Sequence, residues 1–220
     1  MNGHYRDQLT DQPLAFEVVE ETLIHEGFRD FKKLTIAHDS LDGSSRIGPM
    51  EREYLATGPV AVILPYDPAR DAIVVIRQFR LAAALDTPNA AAVELPAGMV
   101  DPGENVAEAA ARELQEETGL EALAIERCFS MLPSPGLSDE HAHIFLAIVD
   151  AGNLEASAGK DDEHEDIRPI LAPVEDLIAA VDDGRVENGY LIACTHWFAR
   201  KGRARAQALQ GTLFDSEGDA

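Results

Sequence analysis

Apolar positions come in short bursts separated by turn-forming residues. Segments around Phe16–Phe28 and Phe31–His38 are rich in Val, Ile, Leu, Thr and Phe and are divided by the Gly27–Asp30 turn region, so they predict two strands. Asp39–Pro49 (DSLDGSSRIGP) has the composition of a loop. The runs Val60–Leu64 and Ile73–Ile76, joined by PYDPARD, predict buried strands around a turn. Val106–Thr118 predicts a helix, with Asn105 as N-cap, Glu108 at the capping-box position and Gly119 as terminator. Ala142–Val149 predicts a further strand and Lys160–Arg168 an acidic loop. Val174–Val181 and Tyr190–Arg200 predict helices, and Gly211–Ala220 a frayed acidic tail. This uneven alternation predicts an α/β fold with a mixed sheet covered by helices.

The 220 residues suffice for one domain or one with a small appendage. A globule of that size buries enough surface to fold without disulfides or a structural metal. Cys128 and Cys194 follow no CxxC spacing and read as ordinary thiols of a reducing compartment. The formal net charge of −22 repels phosphate backbones and anionic headgroups, which excludes a general nucleic-acid binder or a polybasic membrane binder. No apolar run is long enough to span a bilayer and the first residues hold no apolar signal core, so the expected location is the cytoplasm.

Candidate chemistry concentrates in Gly98–Leu120, GMVDPGENVAEAAARELQEETGL. On the predicted helix Glu113 and Glu117 are one turn apart, and with Glu116 they span an arc of about 100°. Like charges at this spacing cost an isolated helix a few tenths of a kcal/mol per pair, a cost that a solvated face tolerates and that a hard divalent cation removes. Pro96, Gly98, Pro102 and Gly103 give the preceding loop a defined path toward the helix. Arg112 is placed to pair with Glu104 and fix that loop. A glutamate cluster alone more often marks a solvated face.

The whole segment fits G-x5-E-x7-R-E-U-x-E-E-x-G-U, with U aliphatic, through Gly98, Glu104, Arg112, Glu113, Leu114, Glu116, Glu117, Gly119 and Leu120. Chance yields about 10⁻⁵ such matches in a chain of this length. This is the Nudix box, and the sequence resembles the Nudix hydrolases. The resemblance implies an α/β/α sandwich and Mg²⁺-dependent cleavage of a nucleoside diphosphate linked to another group, with Mn²⁺ as a substitute ion.

Further stretches resemble the ADP-ribose pyrophosphatase branch: VAVILPYDPARDAIVVIRQFRLAA at Val60–Ala83, LPAGM at Leu95–Met99, PSPGLSDE at Pro133–Glu140 with its Pro135, and EHEDIR at Glu163–Arg168. The likeness implies that Glu113, Glu117 and the Ala97 carbonyl hold Mg²⁺, that Glu116 joins them or bridges two ions, and that Glu165 completes a metal site. It implies Glu163 as the leading candidate for the base that activates water. It also implies that Glu116 and Arg112 are catalytic together with Glu163, while Gly98, Glu104 and Gly119 are structural in the motif. Arg52 and Arg80 match cation positions against the substrate, with surface ion pairs as the alternative. Phe28 matches an adenine-stacking position or is core, and Glu140 matches a position on the terminal ribose. His141 and His143 read as structural, and Trp197 and Phe198 as packing or interface residues.

The implied reaction releases AMP and ribose 5-phosphate from ADP-ribose. Alternatives are another nucleoside diphosphate sugar, such as GDP-mannose or ADP-glucose, and a non-catalytic module that senses ADP-ribose. The resemblance also implies a homodimer through an N-terminal β segment, residues 1–58 with 1–14 loose. That segment precedes a hydrolase domain at 59–205 and an acidic tail at 206–220. A small molecule, neither nucleic acid nor membrane, is the expected partner.

Overall fold

A computed structural model describes residues 9–159 and 165–217, with side chains described as far as Thr212. The chain divides into two compact units, residues up to Thr57 with Ser134–Asp139, and Gly58–Pro133 with residues from Glu140 onward.

The first unit is an antiparallel sheet of β1 (Phe16–His25), β2 (Asp30–Asp39) and β3 (Arg46–Ala56), in that order. The two expected strands are present. The expected loop at Asp39–Pro49 is corrected: only residues 40–45 turn, around an Asp42 carboxylate that accepts from Ser40 and Ser44, while Arg46 and Ile47 already pair with β2 and Gly48–Pro49 fall at an irregularity of the β3 ladder. Glycine and proline in RIGPM hid β3, because an exposed strand is fixed by its ladder to β2 rather than by an apolar stripe. Every residue of β1 is exposed, including Phe16, Val18, Val19, Leu23 and Ile24. Leu55 donates its N–H to the Leu137 carbonyl and Asp139 caps the Thr57 N–H, fastening Ser134–Asp139 to the end of β3.

The second unit is built on a mixed sheet ordered β10-β5-β4-β9-β8. Its strands are β4 (Pro59–Asp67), β5 (Ala72–Phe79), β8 (Ala124–Met131), β9 (His141–Ile148) and β10 (Arg168–Pro173), and only β4 with β9 runs parallel. Alternation along β4 and β9 sends side chains to two cores. Val62, Leu64, Ile144 and Leu146 pack with Leu177, Leu191, Cys194 and Phe198 from α3 (Val174–Asp182), α4 (Gly189–Trp197) and the π-helical turn at Phe198–Gly202. Ala61, Ile63, Phe145 and Ala147 pack with Ala109, Ala110 and Leu114 of α2 (Val106–Thr118). The result is the expected α/β/α sandwich. Both cysteines are free thiols, Cys194 buried and Cys128 half-buried.

Sequence patterning missed several short or amphiphilic pieces: α1 (Leu81–Asp86), β6 (Ala91–Glu94), β7 (Ala97–Met99), β8 and β10. Of the tail expected to fray from Gly211, residues 211–217 form the end of helix α5 (Arg203–Glu217), and residues 218–220 lie outside the described residues. The diverging strands matter for the site. β4 and β5 pair directly only at Tyr66–Ile73 and Asp67–Ala72. Beyond that they separate, and β6 lines β5 while β7 lines β4. The segment Glu94–Gly98 therefore crosses the opening beside α2. No helix among the described residues is long and apolar enough to cross a membrane.

Candidate active site

The box helix starts and stops where its sequence dictates. Asn105 is extended and its side-chain oxygen accepts the Ala107 N–H, while Gly119 adopts φ 71° and returns its N–H to the Gln115 carbonyl. Leu114, Ala109 and Ala110 seat one face in the core, which turns Arg112, Glu113, Glu116 and Glu117 toward the loop and β7. Arg112 ties the two together. Its Nε and Nη2 hold Glu104 at 3.0 Å each, Nη2 also reaches the Met99 carbonyl at 3.1 Å, and Nη1 reaches Glu113 at 2.7 Å and Glu116 at 3.2 Å. Glu104 in turn accepts the Asp101 N–H, closing the turn before the helix. The pairing holds the Glu104 carboxyl below the ordinary carboxylate range, chiefly through the Arg112 hydrogen bond.

Gly98 explains itself by contact. A Cβ there would stand 1.9 Å from Glu113 Oε1, so only glycine lets β7 lie against that carboxylate. Glu117 is 5% exposed and its Oε2 accepts the Ala97 N–H at 2.8 Å. Burial, followed by the negative charges of Glu113 and Glu165, pushes its carboxyl up to about 8, against the lowering effect of Ala97 and Arg80. Glu165 arrives on the chain after β9. There Ala158 and Ile167 form a two-way bridge, and Gly159, at φ 100°, donates its N–H to the Glu116 carbonyl of α2. Glu163 lies outside the described residues.

Glu113 and Glu165 thus add their negative charge to the surroundings of one buried carboxylate, that of Glu117. Among the described residues no three acidic, histidine or cysteine side chains already form a ligand shell. Glu113 and Glu116 are bonded to Arg112, and Glu117 to Ala97. The donor set nevertheless fits a hard divalent cation: all-oxygen ligands, one of them buried at the cost of its charge, and a glycine that leaves room for another.

Arg80, at the end of β5, approaches from the sheet side. Its Nε and Nη2 grip Glu94 at 2.7–3.1 Å. Burial disfavours its charge, but Glu94, then Glu117 and Glu165, hold the guanidinium above its ordinary pKa. Glu140 is half-buried at the start of β9 and accepts the hydroxyl of Tyr190 from α4, a contact that also raises the Tyr190 pKa alongside burial. Phe28 and Arg52 belong to the N-terminal unit. Phe28 is 88% exposed with the Arg29 guanidinium 4.8 Å from its ring centre, which corrects the core reading, and Arg52 donates to the Glu51 carbonyl. The rings of His141 and His143 on β9 lie 4.4 Å apart, tilted by 52°, with His143 buried. Trp197 packs on Phe129, and Phe198 is buried against Tyr66.

Sequence reasoning passed over Glu94, Asn188 and Tyr190. Glu94 directly precedes the LPAGM stretch, and a lone charge between apolar neighbours was the available signal.

The Nudix domain family model matches residues 56–193. A curated ADP-ribose pyrophosphatase of Haemophilus influenzae is 30% identical over 184 residues, 82% of this chain and 84% of that protein. One of Escherichia coli is 32% identical over 181 residues, 82% and 86% of the two chains. A GDP-mannose pyrophosphatase of Klebsiella pneumoniae is 27% identical over 191 residues, 86% and 94% of the two. With its complete box on a capped helix, a family match over most of its length and this similarity to ADP-ribose pyrophosphatases, the chain belongs to the Nudix hydrolase family.

Proposed function

We propose that the protein hydrolyses the pyrophosphate bond of ADP-ribose, releasing AMP and ribose 5-phosphate. The observation that carries the reading is the buried Glu117 carboxylate beside Glu113 and Glu165, faced by Arg80. Glu113, Glu116, Glu117, Glu165 and the Ala97 carbonyl are the residues that would hold Mg²⁺, with Mn²⁺ as a substitute. The bound ion supplies charge neutralisation of the diphosphate and orientation of water.

The chain's own groups supply the rest. Arg80 opposes the substrate's negative charge, which matters because the net charge of −22 repels an anion at long range. A fixed local cation outweighs distant screened charges. Arg112 spends its guanidinium on bonds within the protein and acts by holding the loop and Glu113 in place. A carboxylate of the acidic loop removes the proton from water, with Glu163 as the leading residue and Glu165 the alternative. Glu140, steadied by Tyr190, is assigned to the terminal ribose, and Arg52 and Phe28 are assigned to substrate binding. The exposed apolar residues of β1 support a homodimer formed through the N-terminal sheet. The proposed compartment is the cytoplasm.

The GDP-mannose pyrophosphatase relative favours a second reading, hydrolysis of another nucleoside diphosphate sugar. Measuring kcat/KM for ADP-ribose, ADP-glucose and GDP-mannose with Mg²⁺ separates them. Preference for ADP-ribose supports the first; equal or reversed preference defeats it. Sedimentation analysis tests the dimer, and comparison of Glu163→Gln with Glu165→Gln across pH identifies the base by which variant loses the acid limb of the rate profile.

A further inference from the structure

Glu94 is an ionisable group that the mechanism above does not use. It is only 6% exposed, yet donors from the end of β5 and from the start of α4 converge on it. Arg80 contributes Nε and Nη2, Gln78 contributes Nε2 at 3.2 Å, and Asn188 contributes Nδ2 at 3.1 Å. Asn188 is itself fixed, because its Oδ1 caps the Leu191 N–H at the start of α4. The carboxylate is thus anchored to two ordered elements, β5 and the α4 N-terminus.

The clamp is one-sided. Glu94 holds the Nε–Nη2 edge of Arg80, while Nη1 makes no hydrogen bond among the described residues. Arg80, Glu94 and Asn188 line an open trough of about 510 Å³ that also carries Arg77, Asn89 and Arg185. Arg80 lines the trough, and the negative charges of Glu117 and Glu165 act on the same guanidinium. A long, half-exposed arginine at the end of a strand would otherwise sample many rotamers.

We propose that Glu94 is a positioning residue: it fixes the orientation of the Arg80 guanidinium and thereby sets how tightly the diphosphate of the substrate is held. The inference rests on the reading that Arg80 meets a diphosphate substrate. The buried Glu94 carboxylate acts through Arg80 and touches neither the substrate nor a metal ion. A role confined to stability would lower Tm without coupling to Arg80 in substrate binding.

The test is a double-mutant cycle on the full chain with Glu94→Gln, Arg80→Ala and the double variant. Two quantities are read: kcat and KM for ADP-ribose hydrolysis, and the calorimetric Kd of α,β-methylene ADP-ribose. Glu94→Gln is expected to raise KM and Kd about tenfold with kcat changed less than about threefold, the pattern of lost uniform binding. In the Arg80→Ala background the same substitution is expected to add nothing. Multiplying losses, or unchanged KM and Kd in Glu94→Gln, would overturn the proposal. If Glu94→Gln does not fold, Glu94→Asp, which keeps the charge but retracts the carboxylate, is put through the same cycle with the same criteria. A wild-type chain that hydrolyses no nucleoside diphosphate sugar refutes the proposed function instead, and the Kd cycle still decides the role of Glu94.

Discussion

Two arginine–glutamate clusters border the acidic residues of α2, one centred on Arg112 of the helix itself and one on Arg80 just after β5, and they differ in what their arginine leaves over. Arg112 spends both edges of its guanidinium on the protein, bonding Glu104, Glu113, Glu116 and the Met99 carbonyl. Arg80 gives one edge to Glu94 and presents the other to a trough. Saturated, an arginine is a fastener for a loop; half-engaged, it is oriented yet able to meet an anion. The bidentate fork makes both roles available from one side chain.

The largest effect should come from neither arginine but from the carboxylate between them. Glu117→Gln is expected to lower kcat/KM by at least about 10²–10³-fold in steady-state assays with Mg²⁺. The fold should survive, and the metal-free variant should melt higher than wild type at pH 8, because it no longer buries a charge. Gly98→Ala comes next. Its methyl must displace Glu113 or β7, so a loss of about 10²-fold in kcat/KM is expected, with circular dichroism showing an intact fold.

Conservative replacement of the two arginines then sharpens the contrast. Arg112→Lys cannot reproduce five directed bonds and should lower Tm by several degrees together with activity. Arg80→Lys keeps the charge and should leave Tm within about 2 °C while raising KM about tenfold. Equal Tm losses in the two variants would erase the distinction between fastener and substrate contact.

The smallest effect concerns pH. The folded-state pKa of Glu117, about 8, lies above its ordinary 4.5, so the folded protein holds that proton more tightly than the unfolded chain does. This contribution to stability is complete below about pH 4.5 and is lost as pH rises toward 8, amounting to a few kcal/mol in the metal-free protein. Differential scanning calorimetry should therefore show Mg²⁺ raising Tm more at pH 8 than at pH 5.5. A Mg²⁺ effect independent of pH would refute the burial of a charge at Glu117.

The box helix was legible because every determinant is local: Asn105 and Gly119 set its ends, and spacing alone puts Glu113 and Glu117 on one face. The Arg112–Glu104 pair followed from the same spacing. Strands buried on both faces, β4 and β9, were legible as apolar runs. β3 was not, since its exposed residues owe their conformation to the ladder with β2. The roles of Glu94, Asn188 and Tyr190 depend on partners as far as 94 positions away in the chain, Asn188 on Glu94. Such convergence comes from β4 and β5 separating to admit β6 and β7, which no local pattern announces. Phe28 illustrates the reverse case: its aromatic character suggested core, while the β1–β2 turn carries it into solvent.

The most direct measurement is ³¹P NMR of ADP-ribose incubated with wild type and with Glu117→Gln, each with Mg²⁺ and with chelator. Conversion to the two phosphomonoester signals of AMP and ribose 5-phosphate is predicted only for wild type with Mg²⁺. Persistent diphosphate signals under that condition, or undiminished conversion by Glu117→Gln, would contradict a hydrolytic centre built on the buried carboxylate.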